Sequence, residues 1–192
     1  MNMISKRRVF NLIFVTASIF FITSCSKTEN ATNITDSSSE KTLPKNVSLQ
    51  KINFKQWDKQ LKSYQPNIVV VDAWAMWCSS CIKRFPKMVE LSKKYQNENV
   101  KFVSLNLDDH TNTEAVTDAE AFLHKMNATF DNFHIDENLI DAFERFNLIG
   151  IPAVFIYDKN SKEQFRLTGD NPNSQFTEKD IEASVIELLK ST

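Results

Sequence analysis

The sequence predicts an α/β fold, and three observations predict it. Residues 68–73 read IVVVDA, a β-branched apolar run of the kind buried on both faces of a central sheet. Stretches with apolar residues at helical spacing stand before and after it. Strand and helix patterns then alternate down the chain and close on two strands and a helix.

Each element has its own signal. Asn53 to Gln56 has the form of a helix N-cap with Gln at the third helical position, and Phe54, Trp57 and Leu61 line one face of the helix that follows. Pro66 ends that segment. After the strand at 68–73, a helix is expected from about Ser79 to Tyr95, turning Ile82, Phe85, Val89 and Leu91 or Ser92 inward. Val100 to Leu107 is the next strand, and Asp108-Asp109 at its end read as a solvated face. Glu114 to Met126 is a helix, with Thr117 and Glu120 spaced to cap its main part. An extended piece at 129–135 leads to a helix over Asn138 to Phe146, apolar at Leu139, Ala142, Phe143 and Phe146. Ala153–Tyr157 and Glu163–Leu167 form two strands about a turn at 158–161. Thr177 and Asp180 open the last helix, whose stripe is Ile181, Val185, Leu188 and Leu189. Glycine occurs at only 2 of 192 positions, so Gly150 and Gly169 are expected where the backbone needs them. His110, His124 and His134 read as surface residues.

The net charge is −1, which leaves no basic footprint for a nucleic-acid partner. The N-terminus has a different character from the rest. Lys6, Arg7 and Arg8 precede an apolar run over 9–22, short for a bilayer span but suited to a signal sequence, a transmembrane anchor being the alternative reading. Ile22-Thr23-Ser24-Cys25 at its end resembles the lipobox of bacterial lipoproteins. That resemblance implies cleavage before Cys25 and acyl chains on its thiol and new amino terminus. Several chains, at about 0.8 kcal/mol per buried CH₂, hold a protein stably on a membrane. The expected organisation is a signal peptide over 1–24, a lipidated Cys25 with a flexible polar tether to residue 49, and a folded domain over 50–192.

The chain has 3 cysteines. With Cys25 lipidated, Cys78 and Cys81 remain as an even pair outside the cytoplasm, where disulfides persist. Trp77-Cys78-Ser79-Ser80-Cys81 could in itself be a structural disulfide, part of a metal site or a redox centre. So small a loop constrains the unfolded chain little and makes a poor staple. Cys78 falls after a buried strand and at the start of a helix. Unpaired N–H groups and the positive end of the helix dipole there favour the thiolate, which is the attacking species in disulfide exchange. Cys81 lies one turn further on and can reach back. The expected roles are Cys78 as exposed attacker and Cys81 as buried resolver.

These residues resemble the thioredoxin superfamily. Trp77-Cys78-x-x-Cys81 follows VVVDAW at 69–74; Asp72 lies six residues before Cys78, Pro86 five after Cys81, and Ile151-Pro152 just before the strand at 153–157. The resemblance covers 51–189 and implies a thioredoxin fold, a central mixed β-sheet flanked by helices. It implies a buried acid at Asp72, whose proton affinity desolvation raises. Such an acid serves as general base for the Cys81 thiol and as acid on the return step. Pro86 is implied as a helix-kinking proline. A cis Pro152, which an X–Pro bond tolerates, would bring its loop against the disulfide. Ile151 would then pair its backbone with an extended substrate segment. Trp77 would shield the disulfide and contribute to a docking surface.

The departures from the family are informative. Ser79-Ser80 stand where thioredoxin has Gly-Pro, so its reduction potential does not carry over. The lysine that thioredoxin places near its acid corresponds to Ser104. The stretch from Cys81 to Pro152 is longer by a helix and an extended piece, an insertion over about 110–133. In this it is similar to the TlpA/ResA group of membrane-tethered thiol–disulfide reductases. The group implies a lipid-anchored, extracytoplasmic thiol–disulfide oxidoreductase that reduces disulfides in partner proteins, in cytochrome c maturation or general redox homeostasis. A membrane thiol reductase would supply electrons, with no cofactor beyond the Cys78–Cys81 pair and no metal. The rival readings are a disulfide-forming oxidant, a copper-handling protein using both thiols and one of the histidines, and a peroxidase. Against the last, Ala75 stands where peroxiredoxins carry a threonine.

Overall fold

The structure is a computed structural model and describes residues 46–170 and 175–191, all within one compact unit spanning 42–192. The signal peptide, Cys25 and most of the expected tether lie outside the described residues. The elements in chain order are β1 (Gln50–Ile52), α1 (Phe54–Ser63), β2 (Ile68–Trp74), α2 (Ser79–Lys94), β3 (Val100–Asn106), α3 (Thr113–Met126), β4 (Asp131–Ile135), α4 (Leu139–Arg145), β5 (Ala153–Tyr157), β6 (Glu163–Thr168) and α5 (Glu178–Lys190). Ahead of β1, Val47 and Leu49 already pack on the core.

The strands form one six-stranded sheet in the order β1-β4-β3-β2-β5-β6. The first four pair in parallel; β5 runs antiparallel to β2, and β6 to β5. Every residue of β2 is buried, as its continuous apolar run requires. Alternate side chains go to opposite faces. Val69, Val71 and Ala73 meet Trp57 and Tyr64 of the α1 region and Ala142 and Phe146 of the α4 region. Ile68 and Val70 meet Met88 and Leu91 of α2 and Ile181 and Val185 of α5. Trp74, on that second face, gathers Phe85, Ala119 and Leu123 from α2 and α3. Its ring lies 5.0 Å from Phe85 and 5.4 Å from Phe122, and those two lie 5.1 Å apart. Aromatic pairs at such distances add about 0.5–1.5 kcal/mol each beyond area burial.

Several local expectations met a different physical outcome. β1 has only three residues, too few to show a period, and exists because β4 offers it a parallel edge. Asn112, not Thr117, caps α3 by accepting from Ala115 N; the Thr117 hydroxyl donates within the helix to Thr113 O. Asp108 is buried instead of forming a solvated face, and His134 is fully buried instead of lying on the surface. By contrast, Asn53 and Gln56 form the expected capping box on α1, and the Ile151–Pro152 bond is cis.

The two glycines divide. Neither has a positive φ. Gly169 N donates to Pro152 O at 2.8 Å, and a Cβ on Gly169 would lie 2.9 Å from two atoms of the Pro152 ring. A Cβ on Gly150 would touch only Asp170 Cβ, at 3.8 Å. Only Gly169 is therefore required by close approach. Gly169→Ala is expected to cost about 1–3 kcal/mol through overpacking. Gly150→Ala should be neutral or stabilise by about 0.4–1 kcal/mol through the unfolded chain. Urea unfolding of both variants checks the contrast.

Candidate active site

β2 ends at Trp74 and α2 begins at Ser79, so the intervening loop carries Cys78 out of the sheet and onto the helix terminus. Cys78 is the N-cap of α2. A disulfide joins it to Cys81. Its Sγ accepts from Cys81 N at 3.2 Å and lies 3.5 Å from Ser80 Oγ. Cys78 keeps 5% of its surface and Cys81 none. Cys78 is thus less exposed than its sequence position suggests, because it belongs to the buried cluster that also holds Trp74, Cys81 and Phe85. It is still the one sulfur a partner can reach. Pro86 lies inside α2, where its missing N–H leaves the Ile82 carbonyl without its helical partner.

Asp72 is 2% exposed and sits on β2 two residues before Trp74, hence on the same face as the cluster that holds Cys81. Burial pushes its carboxyl up to about 6, against an opposing pull from Arg84. The pairing register sets Ser104 directly beside it on β3, where the sequence comparison placed the missing lysine. Ser104 gives nothing to Asp72: its hydroxyl donates to Asn132 Oδ1 at 2.8 Å. The partner is instead Arg84, one helical turn beyond Cys81 on α2, whose Nη2 contacts Asp72 Oδ1. Asp72 Oδ2 is buried without a hydrogen bond among the described residues. Sequence reasoning missed Arg84; its only signal was a cation three residues after the second cysteine.

A second polar group holds the cysteine loop from below. Asp108 accepts from Met76 N with both carboxylate oxygens, at 3.1 and 3.0 Å, and from Asn106 Nδ2 at 2.7 Å. Burial raises its proton affinity, which those hydrogen bonds oppose. Asn106 Oδ1 in turn lies 2.8 Å from His134 Nδ1. Burial lowers the proton affinity of His134. Cys78 N bonds to Ala75 O at 3.1 Å, and Leu107 N to Trp74 O at 2.8 Å. The turn presenting Cys78 is therefore pinned to β3 and, through it, to β4. His134, considered above as a copper ligand, is engaged in this chain.

Ile151, on the loop of the cis Pro152 bond, packs against the buried cluster that includes Cys78 and Cys81. Ile151 makes no backbone hydrogen bond to another described residue. Trp77 is 58% exposed. With Leu139, Ile140, Phe143 and Leu148 it lines an open, mainly apolar groove of about 530 Å³.

The model of the AhpC/TSA family matches residues 41–164. Thiol-disulfide oxidoreductase ResA of Bacillus cereus (strain ATCC 10987) is 26% identical over 119 residues, 62% of this chain and 65% of that protein. ResA of Geobacillus kaustophilus is 25% identical over 130 residues, 68% of each chain. The match thus spans about two thirds of these relatives' length. Among solved structures, a Chlorobium tepidum protein described as a candidate thiol:disulfide interchange protein DsbE superposes with a TM-score of 0.56. It is 26% identical, covering 67% of this chain and 84% of that one. A secreted disulfide oxidoreductase of Mycobacterium tuberculosis, 20% identical with a TM-score of 0.53 over 68% of this chain and 99% of that one, shares the fold.

The raised Asp72 value has a consequence for stability. A carboxyl with higher proton affinity folded than unfolded stabilises the fold below its unfolded pKa of 3.8, and that contribution is lost as pH rises through about 6. An Asn at 72 mimics the neutral acid at every pH. The Asp72→Asn variant should therefore gain on the parent by up to about 3 kcal/mol between pH 4 and pH 8. Urea unfolding of the oxidised proteins across that range measures the gap; a constant gap would contradict the assignment.

Proposed function

The chain belongs to the AhpC/TSA family, and from that premise we propose that it is a thiol–disulfide oxidoreductase that reduces disulfides in partner proteins. One observation carries the reading: a closed Cys78–Cys81 disulfide at the N-terminus of α2, flanked by a cis Pro152 loop and backed by a buried acid. The ResA name borne by the relatives supports it.

In the dithiol form, Cys78 carries the reactive thiolate, stabilised by the helix terminus that now offers Cys81 N to its sulfur. It attacks one sulfur of a partner's disulfide and releases the other as a thiolate, leaving a mixed disulfide. Cys81 then loses its proton to Asp72 and attacks Cys78 Sγ. The second partner sulfur leaves as a thiolate that takes up a proton. Two electrons have passed to the partner, and the Cys78–Cys81 disulfide has re-formed. An external dithiol, for which a membrane thiol reductase is the expected source, restores the reduced state.

Ile151, with its backbone groups uncommitted, can pair with an extended segment around the partner's cysteine, and the groove beside Trp77 can take an apolar neighbour. We place the domain outside the cytoplasm, anchored by lipid on Cys25. The lipobox-like stretch 22–25 supports this placement. No described helix is long and apolar enough to cross a membrane.

The Cys81→Ser variant, expressed in cells, is expected to accumulate partners covalently joined to Cys78 and released by dithiothreitol. The parent's pair should be held as the dithiol. If no mixed disulfide accumulates, the exchange mechanism fails. Cys25→Ser should move the protein from the membrane fraction to the soluble fraction and abolish labelling by radioactive palmitate. Unchanged fractionation would remove the anchor from the proposal.

A further inference from the structure

Among the described residues, Arg84 is the one charged side chain that contacts Asp72, and nothing else in the active-site chemistry accounts for it. It is a nearly buried cation on the same helix as the resolving thiol, with 10% of its side chain exposed. Its Nη2 reaches Asp72 Oδ1, while Nε and Nη1 are buried with no hydrogen-bond partner among the described residues. Phe176, ahead of α5, stacks on the guanidinium with the ring centroid 4.6 Å from Cζ. An arginine whose role were only to tie α2 to the sheet would use its fork more fully. This one directs one arm at a single carboxylate oxygen and leaves the other oxygen open.

We propose, resting on the exchange mechanism above, that Arg84 is a positioning residue for the resolving step: its fixed charge keeps Asp72 ionised at neutral pH, so that Asp72 can accept the proton of Cys81. Two neighbours that could have helped do not. Ser104 on β3 turns its hydroxyl to Asn132, and Val154, paired with Asp72 on β5, is apolar. On α5 the buried residues nearest the sheet are Ile181, Ser184 and Val185, and Ser184 donates to Asp180 O within its helix. Among the described residues, Arg84 is thus the only charge bearing on Asp72 from any packed element. Without it, burial alone governs the carboxyl. The neutral acid would then dominate at pH 7, and the Cys81 proton would have no acceptor. Phe176 acts through Arg84, closing the guanidinium off from water and so strengthening its field at Asp72.

The resolving step can be isolated in the full chain. Reduced protein reacts with 5,5′-dithiobis(2-nitrobenzoate) in two phases. Cys78 releases one thionitrobenzoate and retains the other as a mixed disulfide; Cys81 then displaces the second. The rate of the second phase is followed from pH 4 to pH 10. The parent should rise with a midpoint near 6. Arg84→Gln should move that midpoint up by about one to three units and slow the phase at pH 7 by roughly tenfold. Arg84→Lys, which keeps the charge, should stay near the parent. Asp72→Asn should lose the titration. Phe176→Ala, which leaves α2 intact, should shift the midpoint the same way by less, and it keeps the test available if the Gln variant folds poorly. An unmoved midpoint in Arg84→Gln and Phe176→Ala, or equal shifts in the Lys and Gln variants, would overturn the proposal while leaving the exchange mechanism standing. A parent that shows no second phase would instead overturn the mechanism itself.

Discussion

The arrangement depends on a carboxylate placed inside the central strand of the sheet. Asp72 interrupts a run that is otherwise wholly apolar, and every other β2 side chain contributes to one of the cores. Burying an ionised carboxylate costs several kcal/mol unless it is paired and hydrogen-bonded. Here the pairing is partial: one oxygen meets Arg84 and the other has no hydrogen-bond partner among the described residues. The result is a group that neither discards its charge wholly nor holds it firmly. A fully satisfied carboxylate would bind protons too weakly to take one from a thiol. A carboxyl with no cation near it would already hold one.

The rest of the site is organised so that this compromise sits at a fixed distance from the sulfur chemistry. α2 carries Cys81 and Arg84 one turn apart, so that sulfur and the cation that contacts Asp72 move as one rigid body. The helix start is held separately. Asp108 takes the Met76 N–H with both oxygens, and Asn106 and His134 extend that contact into β4. On the opposite side, Gly169 lets the end of β6 lie against the Pro152 ring, which fixes the loop that faces the disulfide. The turn that presents the cysteine pair is therefore held by contacts from β3 and β4, while the Pro152 loop is held from the end of β6.

The parts of this that were legible in the sequence share a property: they announce themselves through spacing along the chain. The cysteines three apart, Asp72 ahead of them, Pro86 inside the helix and Pro152 before a strand all fall at intervals that backbone geometry dictates. The polar groups that complete the site have no such interval. Asp108 was read with Asp109 as a water-facing pair, because two acids at a strand end usually are. Its burial follows from a contact across 32 residues to Met76 N. His134 alternates correctly for a strand, but nothing local says that Asn106 waits on the neighbouring strand. Arg84 looked like one more basic residue on a helix with several. β1 was invisible for another reason: three residues gain their structure from the edge they join, not from their own pattern.

Ser104 shows how a departure from a family pattern can be read in both directions. From sequence alone, the loss of a lysine beside the acid suggests an acid with no electrostatic partner. The register places Ser104 directly beside Asp72 on β3. Yet Asp72 does have a cation beside it, Arg84, on the helix and not on the sheet. The two positions are not equivalent. A cation on β3 would be fixed relative to the acid, whatever the helix did. A cation on α2 is fixed relative to Cys81, so a shift of that helix during exchange would change the acid's proton affinity and the thiol's position together. The planar guanidinium of Arg84 also stacks under Phe176, with which an ammonium would make a less extended contact. The cation that contacts Asp72 is thereby tied to Cys81 through the helix that carries both.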